Sequence, residues 1–160
     1  MYHIIIQHAA DDAPAPKSSL LRKWAKAALS QKTESAEVTI RIVTTPEMTH
    51  LNKTYRYKDG PTNVLSFPFE TPKEVDINIP ILGDIVVCAE VVNREAIEQG
   101  KPFEAHWAHM IVHGVFHLLG YDHENDADAN TMETLEKNVL KNLGFENPYH
   151  VTGESDCRHD

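Results

Sequence analysis

Cysteine is scarce in this chain: Cys88 and Cys157 are the only two in 160 residues. One lies in an apolar, strand-like run and the other in a polar tail. No disulfide is expected, and the usage suits a reducing compartment. No apolar run approaches the ~18 residues of a membrane span. Residues 1–7 lack the basic flank and long apolar segment of a secretory signal. Together these absences predict a cytoplasmic protein with no membrane partner. Neither G-x-x-x-x-G-K-[ST] nor G-x-G-x-x-G occurs, so no nucleotide cofactor is expected. There is no internal repeat. Positive charge is also in deficit, with a net charge of -9, which argues against indiscriminate nucleic-acid binding. The deficit is uneven. Residues 1–58 carry net +4, residues 59–100 net -6 and residues 101–160 net -7, so a local basic surface can come from the first third.

What is present describes one soluble domain, long enough to bury a core. Residues 2–7 are rich in Ile and read as a strand. Residues 17–29 read as a helix burying Leu20, Leu21, Trp24, Ala27 and Ala28, with Lys17, Arg22, Lys23 and Lys26 on its solvated face. Val38, Ile40 and Ile42 alternate with polar residues, as in a strand with one wet face. Thr45 before Pro46 predicts a capped helix over 46–55, burying Met48, Leu51 and Tyr55. Residues 63–69 are strand-like, with Pro68 marking an edge strand or a strand end. Residues 81–88 are mostly apolar and predict a central strand. Helices follow over 89–99, with Val91, Val92, Ala96 and Ile97 inward, and from 101–102 to about 119. A last helix, capped by Asp126 or Asp128 and ending before Gly144, buries Met132, Leu135, Val139 and Leu143. The fold class is α+β: a single domain over 1–149, a small mixed sheet of about four strands, about five helices and a central buried histidine-bearing helix. Residues 150–160 read as a disordered tail, and His150, Cys157 and His159 as part of it rather than as ligands.

The helix near residue 110 carries the chemistry. From Trp107 to Leu119 its only side chains that are neither apolar nor glycine are histidines. A helix apolar all round is buried. Yet His106, His109, His113 and His117 recur at spacings of three and four and share one face. Buried imidazoles need partners. His113 and His117, one turn apart, can grip one metal ion, Gly120 can end the helix, and His123 can return a third nitrogen. The spacing is that of H-E-x-x-H-x-x-G-x-x-H, with Gly114 where the peptidases carry their general-base Glu. Three imidazoles without a fourth ligand describe an open, catalytic type of zinc site. Nickel or copper would also suit three imidazoles. Without that Glu, activation of a nucleophile falls to the metal, the substrate or a residue outside the pattern; Asp122, Glu124 and His109 are the nearest candidates, or else supporting groups. Arg56, in a turn-rich segment, could clamp a phosphate.

The run His113-Gly114-Val115-Phe116-His117-Leu118-Leu119-Gly120-Tyr121-Asp122-His123 closely resembles the signature of the YbeY family of bacterial metal-dependent endoribonucleases, H-G-x-L-H-L-x-G-Y-D-H. Leu51-Asn52-x-x-Tyr55-Arg56, the segment from Pro61 to Pro68, and Leu82-Gly83-Asp84-Ile85 agree with it in the same order, so the resemblance reaches to about Tyr149. It implies one zinc ion on His113, His117 and His123, with Arg56 meeting the RNA, and on this reading Gly114 leaves space beside the metal for a charged phosphate. It also implies cleavage of single-stranded RNA in 16S rRNA 3′-end maturation and in 70S ribosome quality control. The implied partners are ribosomal RNA and the small ribosomal subunit, with ribosomal or assembly proteins. Phe116 departs from the usual Leu, and Asn63 stands where many members carry Asp. Two other functions fit parts of the pattern. One is a zincin-like metallopeptidase, against which Gly114 stands; Met132 reads as core, not as a Met-turn. The other is a zinc-stabilised assembly factor without catalysis.

Overall fold

The computed structural model describes residues 1–10, 13–69, 80–121 and 126–148. The predicted tail, His123, Asp122 and Glu124 lie outside the described residues.

The period-two pattern of the second strand sets the architecture. Along β2 (Ala36–Val43) the residues Val38, Ile40 and Ile42 are fully buried, and the intervening side chains are half-exposed. β1 (Tyr2–His8) pairs parallel to β2, and β2 pairs parallel to β4 (Ile81–Cys88). β3 (Val64–Pro68) pairs antiparallel to β4, giving the order β1-β2-β4-β3. Among the described residues the sheet is therefore mixed and four-stranded. β4 is central, as its apolar run predicts, and Pro68 ends an edge strand.

The two faces of the sheet are covered differently. One carries α1 (Ser18–Leu29), α4 (Phe103–Leu118) and α5 (Asp126–Asn142), packed on Val38, Ile40, Ile42, Ile85 and Val87. The other carries a smaller cluster in which Met48 of α2 (Thr45–Arg56) meets Leu65, Val86, Cys88 and Val91. α3 (Ala89–Glu98) follows β4 directly. With five helices among the described residues, the α+β prediction holds. Cys88 is a buried free thiol. Among the described residues no helix is long and apolar enough to cross a membrane.

Several inward faces differ from the sequence expectation. α1 is rotated slightly: Ala25 and Leu29 are buried, while Leu20 and Ala27 are half-buried. Thr44, not Thr45, caps α2, its side chain accepting from the Glu47 amide. Tyr55 and Ile97, expected inside, are 59% and 82% exposed. Asn52, by contrast, is buried and ties down the next turn through the Gly60 carbonyl. α5 begins at Asp126, so Asp126 and Asp128 lie inside the helix rather than ahead of it. Its buried residues are Met132, Glu136, Val139 and Leu140, with Leu135 and Leu143 half-buried.

α4 is buried at eleven of its sixteen residues. Its end is specified by Gly120, whose φ of +99° suits glycine. The Gly120 amide donates to the His117 carbonyl and the Tyr121 amide to the Phe116 carbonyl, the paired bonds of a Schellman motif. The Phe116 and Tyr121 rings meet edge to face at 5.6 Å, adding the apolar contact that accompanies this stop. The chain thus turns sharply just past His117.

Candidate metal centre

The histidine face of α4 grades from sealed to open. His106 and His109 are buried, and His113 and His117 half-buried. Neighbouring rings meet edge to face, closing from 6.5 Å at the buried end to 4.5 Å between His113 and His117. Two acids from other helices receive the deeper imidazoles. His106 Nε2 bonds Glu95 of α3 at 3.0 Å. His109 Nε2 bonds one oxygen of Glu136 of α5 at 2.9 Å, and His113 Nδ1 bonds the other at 2.6 Å.

Glu136 is fully buried, so its charge needs both bonds. Burial alone would raise its pKa, but the hydrogen bonds from His109 and His113 outweigh it and hold the carboxyl well below the usual carboxylate range. Burial pushes His109 below its ordinary value, against the pull of Glu136. The consistent state is an ionised Glu136 accepting from a neutral His109. With Nδ1–H of His113 committed to Glu136, the lone pair of that ring lies on Nε2. That Nε2 stands 3.0 Å from Nε2 of His117.

Two nitrogens converging at this distance, one on a ring held by a carboxylate, fit a metal site. Metal-bound histidines commonly donate their other N–H in this way. His109, His113 and Glu136 also bring potential ligand atoms within 4.8 Å of one another and could hold an ion. The His113–His117 pair is the better grip. Both oxygens of Glu136 already receive imidazole N–H groups, and the pair lies at the open end of the face. His123, the expected third donor, is outside the described residues.

Gly114 has a packing role that spacing alone did not show. A Cβ there would sit 2.8 Å from Cγ2 of Ile85 on β4, and Ser66 of β3 donates to its carbonyl. The position faces the sheet. The expected vacancy beside the metal for a charged phosphate is instead a close helix–sheet contact, filled by Ile85.

Arg56 is not brought against the histidines by any described contact. It is the last residue of α2, on the opposite face of the sheet, exposed, and among the described residues it makes no side-chain hydrogen bond or ion pair. The link between the regions is the edge strand. Ser66 faces α4, while the adjacent Phe67 packs edge to face on Tyr55 at 5.4 Å.

The family model described as Endoribonuclease YbeY matches residues 6–144. The chain belongs to the YbeY family. It is 49% identical over 144 residues to a Nitrosococcus oceani protein named Endoribonuclease YbeY, spanning 90% of this chain and 94% of that one. It is 52% identical over 149 residues to the Pseudomonas putida protein of the same name, spanning 93% and 94%. A solved structure, that of TM1509 from Thermotoga maritima in solution, is 25% identical, with a TM-score of 0.58 over the whole of both chains. YbeY membership agrees with the resemblance carried by the histidine run and supports nuclease activity.

Glu136 was missed in the sequence, although its signal was there. It falls four residues after Met132 and three before Val139, on the apolar stripe of α5. A lone acid on a buried stripe opposite a histidine helix is a partner for it. Glu95 and Asn52 lie on inward faces in the same way.

Proposed function

We propose that this chain is a zinc-dependent endoribonuclease of single-stranded RNA, holding its metal on His113, His117 and His123. It acts in 16S rRNA 3′-end maturation and 70S ribosome quality control, in the cytoplasm, with the small ribosomal subunit and its proteins as partners. The observation that carries the metal assignment is the His113–His117 pair of Nε2 atoms 3.0 Å apart, with the far nitrogen of His113 on buried Glu136. YbeY membership carries the assignment to RNA cleavage.

A divalent ion on three imidazoles supplies Lewis acidity toward a phosphoryl oxygen. The protein's own part is orientation and charge. Glu136 keeps His113 in the Nδ1–H tautomer and makes its Nε2 a stronger donor of electrons. His109, donating to the second oxygen, keeps that carboxylate from rotating away. Arg56 offers a planar pair of N–H groups to a phosphate. A peptidase would need a base at position 114, where Ile85 leaves no room for a side chain.

The test is metal analysis of purified protein, with cleavage of single-stranded RNA by wild type, His117→Ala and Arg56→Ala. Wild type should hold about one zinc ion per chain, and His117→Ala should lose both metal and cleavage. Arg56→Ala should keep the metal and lose cleavage. Undiminished cleavage by His117→Ala would overturn the metal-dependent reading. Metal loss in Arg56→Ala would remove that residue from the substrate.

A further inference from the structure

Tyr57 is the one non-glycine residue with positive φ among the described residues, at φ +56° and ψ +34°. It closes α2 in the left-handed conformation, where Gly or Asn is the usual occupant and a larger side chain is strained. Its ring gains no burial in return, being 89% exposed. The strain is imposed from below. The Asn52 carbonyl accepts from the amides of Tyr57 and Lys58, and the Asn52 side chain donates to the Gly60 carbonyl. The turn over residues 57–60 is thus pinned at both ends to a buried residue.

Two further aromatic rings are exposed. Tyr55 is 59% exposed and Phe69 49% exposed. Tyr55 leans on Phe67, which lies two residues before Phe69 and shares the α2 side of β3 with Leu65. Lys53, Arg56 and Lys58 are exposed and alternate along the chain with Tyr55 and Tyr57, in the one segment of an acidic chain that is net positive. Exposed aromatic rings interleaved with cations on a fixed turn are the chemistry of single-stranded nucleic-acid binding, in which bases stack and phosphates pair with the cations.

We propose that Tyr55, Tyr57 and Phe69, with Lys53, Arg56 and Lys58, form a stacking platform for the bases of single-stranded RNA, which then passes round the β3 edge to the histidines. The proposal rests on the RNA-cleaving function above and names where the strand is held. Acidic peptides meet the three cations equally well but make less use of three exposed rings. Strain at a residue that contributes nothing to the core is the mark of a functional position.

The experiment compares binding of a fluorescent oligouridine of about twelve nucleotides with that of an abasic strand of equal length. Proteins are wild type, Tyr57→Gly, Tyr57→Trp and Lys58→Gln, under metal-free conditions that prevent cleavage. Tyr57→Gly should bind oligouridine ~10-fold more weakly while binding the abasic strand as wild type does. Its thermal midpoint should be unchanged or higher, because glycine relieves the left-handed strain, so misfolding cannot produce the result. Tyr57→Trp should restore oligouridine binding, and Lys58→Gln should weaken both strands alike. Tyr57→Gly binding oligouridine as wild type does, or losing both strands equally, would overturn stacking at this position. RNA cleavage with metal restored separates the two claims. Wild type that cleaves while Tyr57→Gly binds normally removes the platform alone. Wild type that neither binds nor cleaves removes both.

Discussion

Glu136 and Tyr57 break the ordinary rules of residue placement in opposite directions. Glu136 is a charge with no exposure, placed on the apolar stripe of α5 and held by two imidazoles. Tyr57 is a large ring with almost complete exposure, placed where the backbone favours glycine. The first region is closed, and each polar group in it fixes another. The second is open, with only its backbone fixed, through Asn52. A metal site needs its ligands aimed before the ion arrives, which calls for buried, mutually bonded groups. A surface for a flexible strand needs accessible rings and cations on a stable turn. Changes in the first region should therefore cost stability, and changes in the second should cost binding alone.

The largest effect is expected from Glu136→Gln. The amide keeps the size but offers one acceptor to two imidazole N–H groups and turns its own N–H₂ toward the other. Losing a buried hydrogen bond to a carboxylate and setting an N–H₂ against an imidazole N–H should cost ~3 kcal/mol, measured by urea unfolding. Metal affinity at the histidine pair should fall ~10–100-fold, because His113 loses the partner that fixes its tautomer. Wild-type stability in this variant would mean that Glu136 does not hold the two rings together.

Next comes the helix–sheet contact. Gly114→Ala places a methyl 2.8 Å from Ile85 Cγ2 and should cost ~1–3 kcal/mol through overpacking. The same change combined with Ile85→Ala should cost less than the sum of the single changes, since the second removes the obstructing atoms. Additive costs would show that α4 is not held against β4 at this point.

These two positions show why the site was only partly legible in the sequence. The histidine spacing and Gly120 named α4, its burial and its sharp end, because helical periodicity and left-handed stops are local properties. The central place of β4 and the edge place of β3 followed from equally local signals, the apolar run of the one and Pro68 of the other. Glu136 and the role of Gly114 depend on what lies across the helix. Gly114 was read from the metal motif as an empty place, while its neighbour Ile85 comes from a strand 29 residues earlier. Tyr55 is in phase with Met48 but falls in the last turn of α2, and Ile97 lies a full residue step round from the face of Val92 and Ala96. Periodicity finds a stripe but not its width.

A smaller effect, distinguished by its pH dependence, belongs to the second acid beneath the histidine face. Burial tends to raise the Glu95 carboxyl, but bonds from His106 and Asn63 outweigh it and lower the pKa below the ordinary 4.5. A depressed folded-state pKa means that the unfolded chain takes up protons first as pH falls. The stabilisation from Glu95 is thus complete above pH ~5 and fades as pH drops through 4.5 and below. Glu95→Gln should flatten the fall in unfolding free energy between pH ~5 and 3. An unchanged slope would mean that the carboxylate gains nothing from His106 and Asn63 in the folded protein.

The smallest expected effect has the opposite sign, and it is the one that separates the two regions. Tyr57→Gly removes a side chain from a left-handed position and should raise stability by ~1 kcal/mol. The gain is limited because glycine also loses more backbone freedom on folding. Urea unfolding beside Glu136→Gln would show both signs in one protein. If Tyr57→Gly instead destabilises the fold, the ring supports α2 from outside, and its exposure reflects shielding of the helix end. If it stabilises the fold, the chain carries strain at Tyr57 that folding alone does not require, and the reason for that residue lies in what the turn binds.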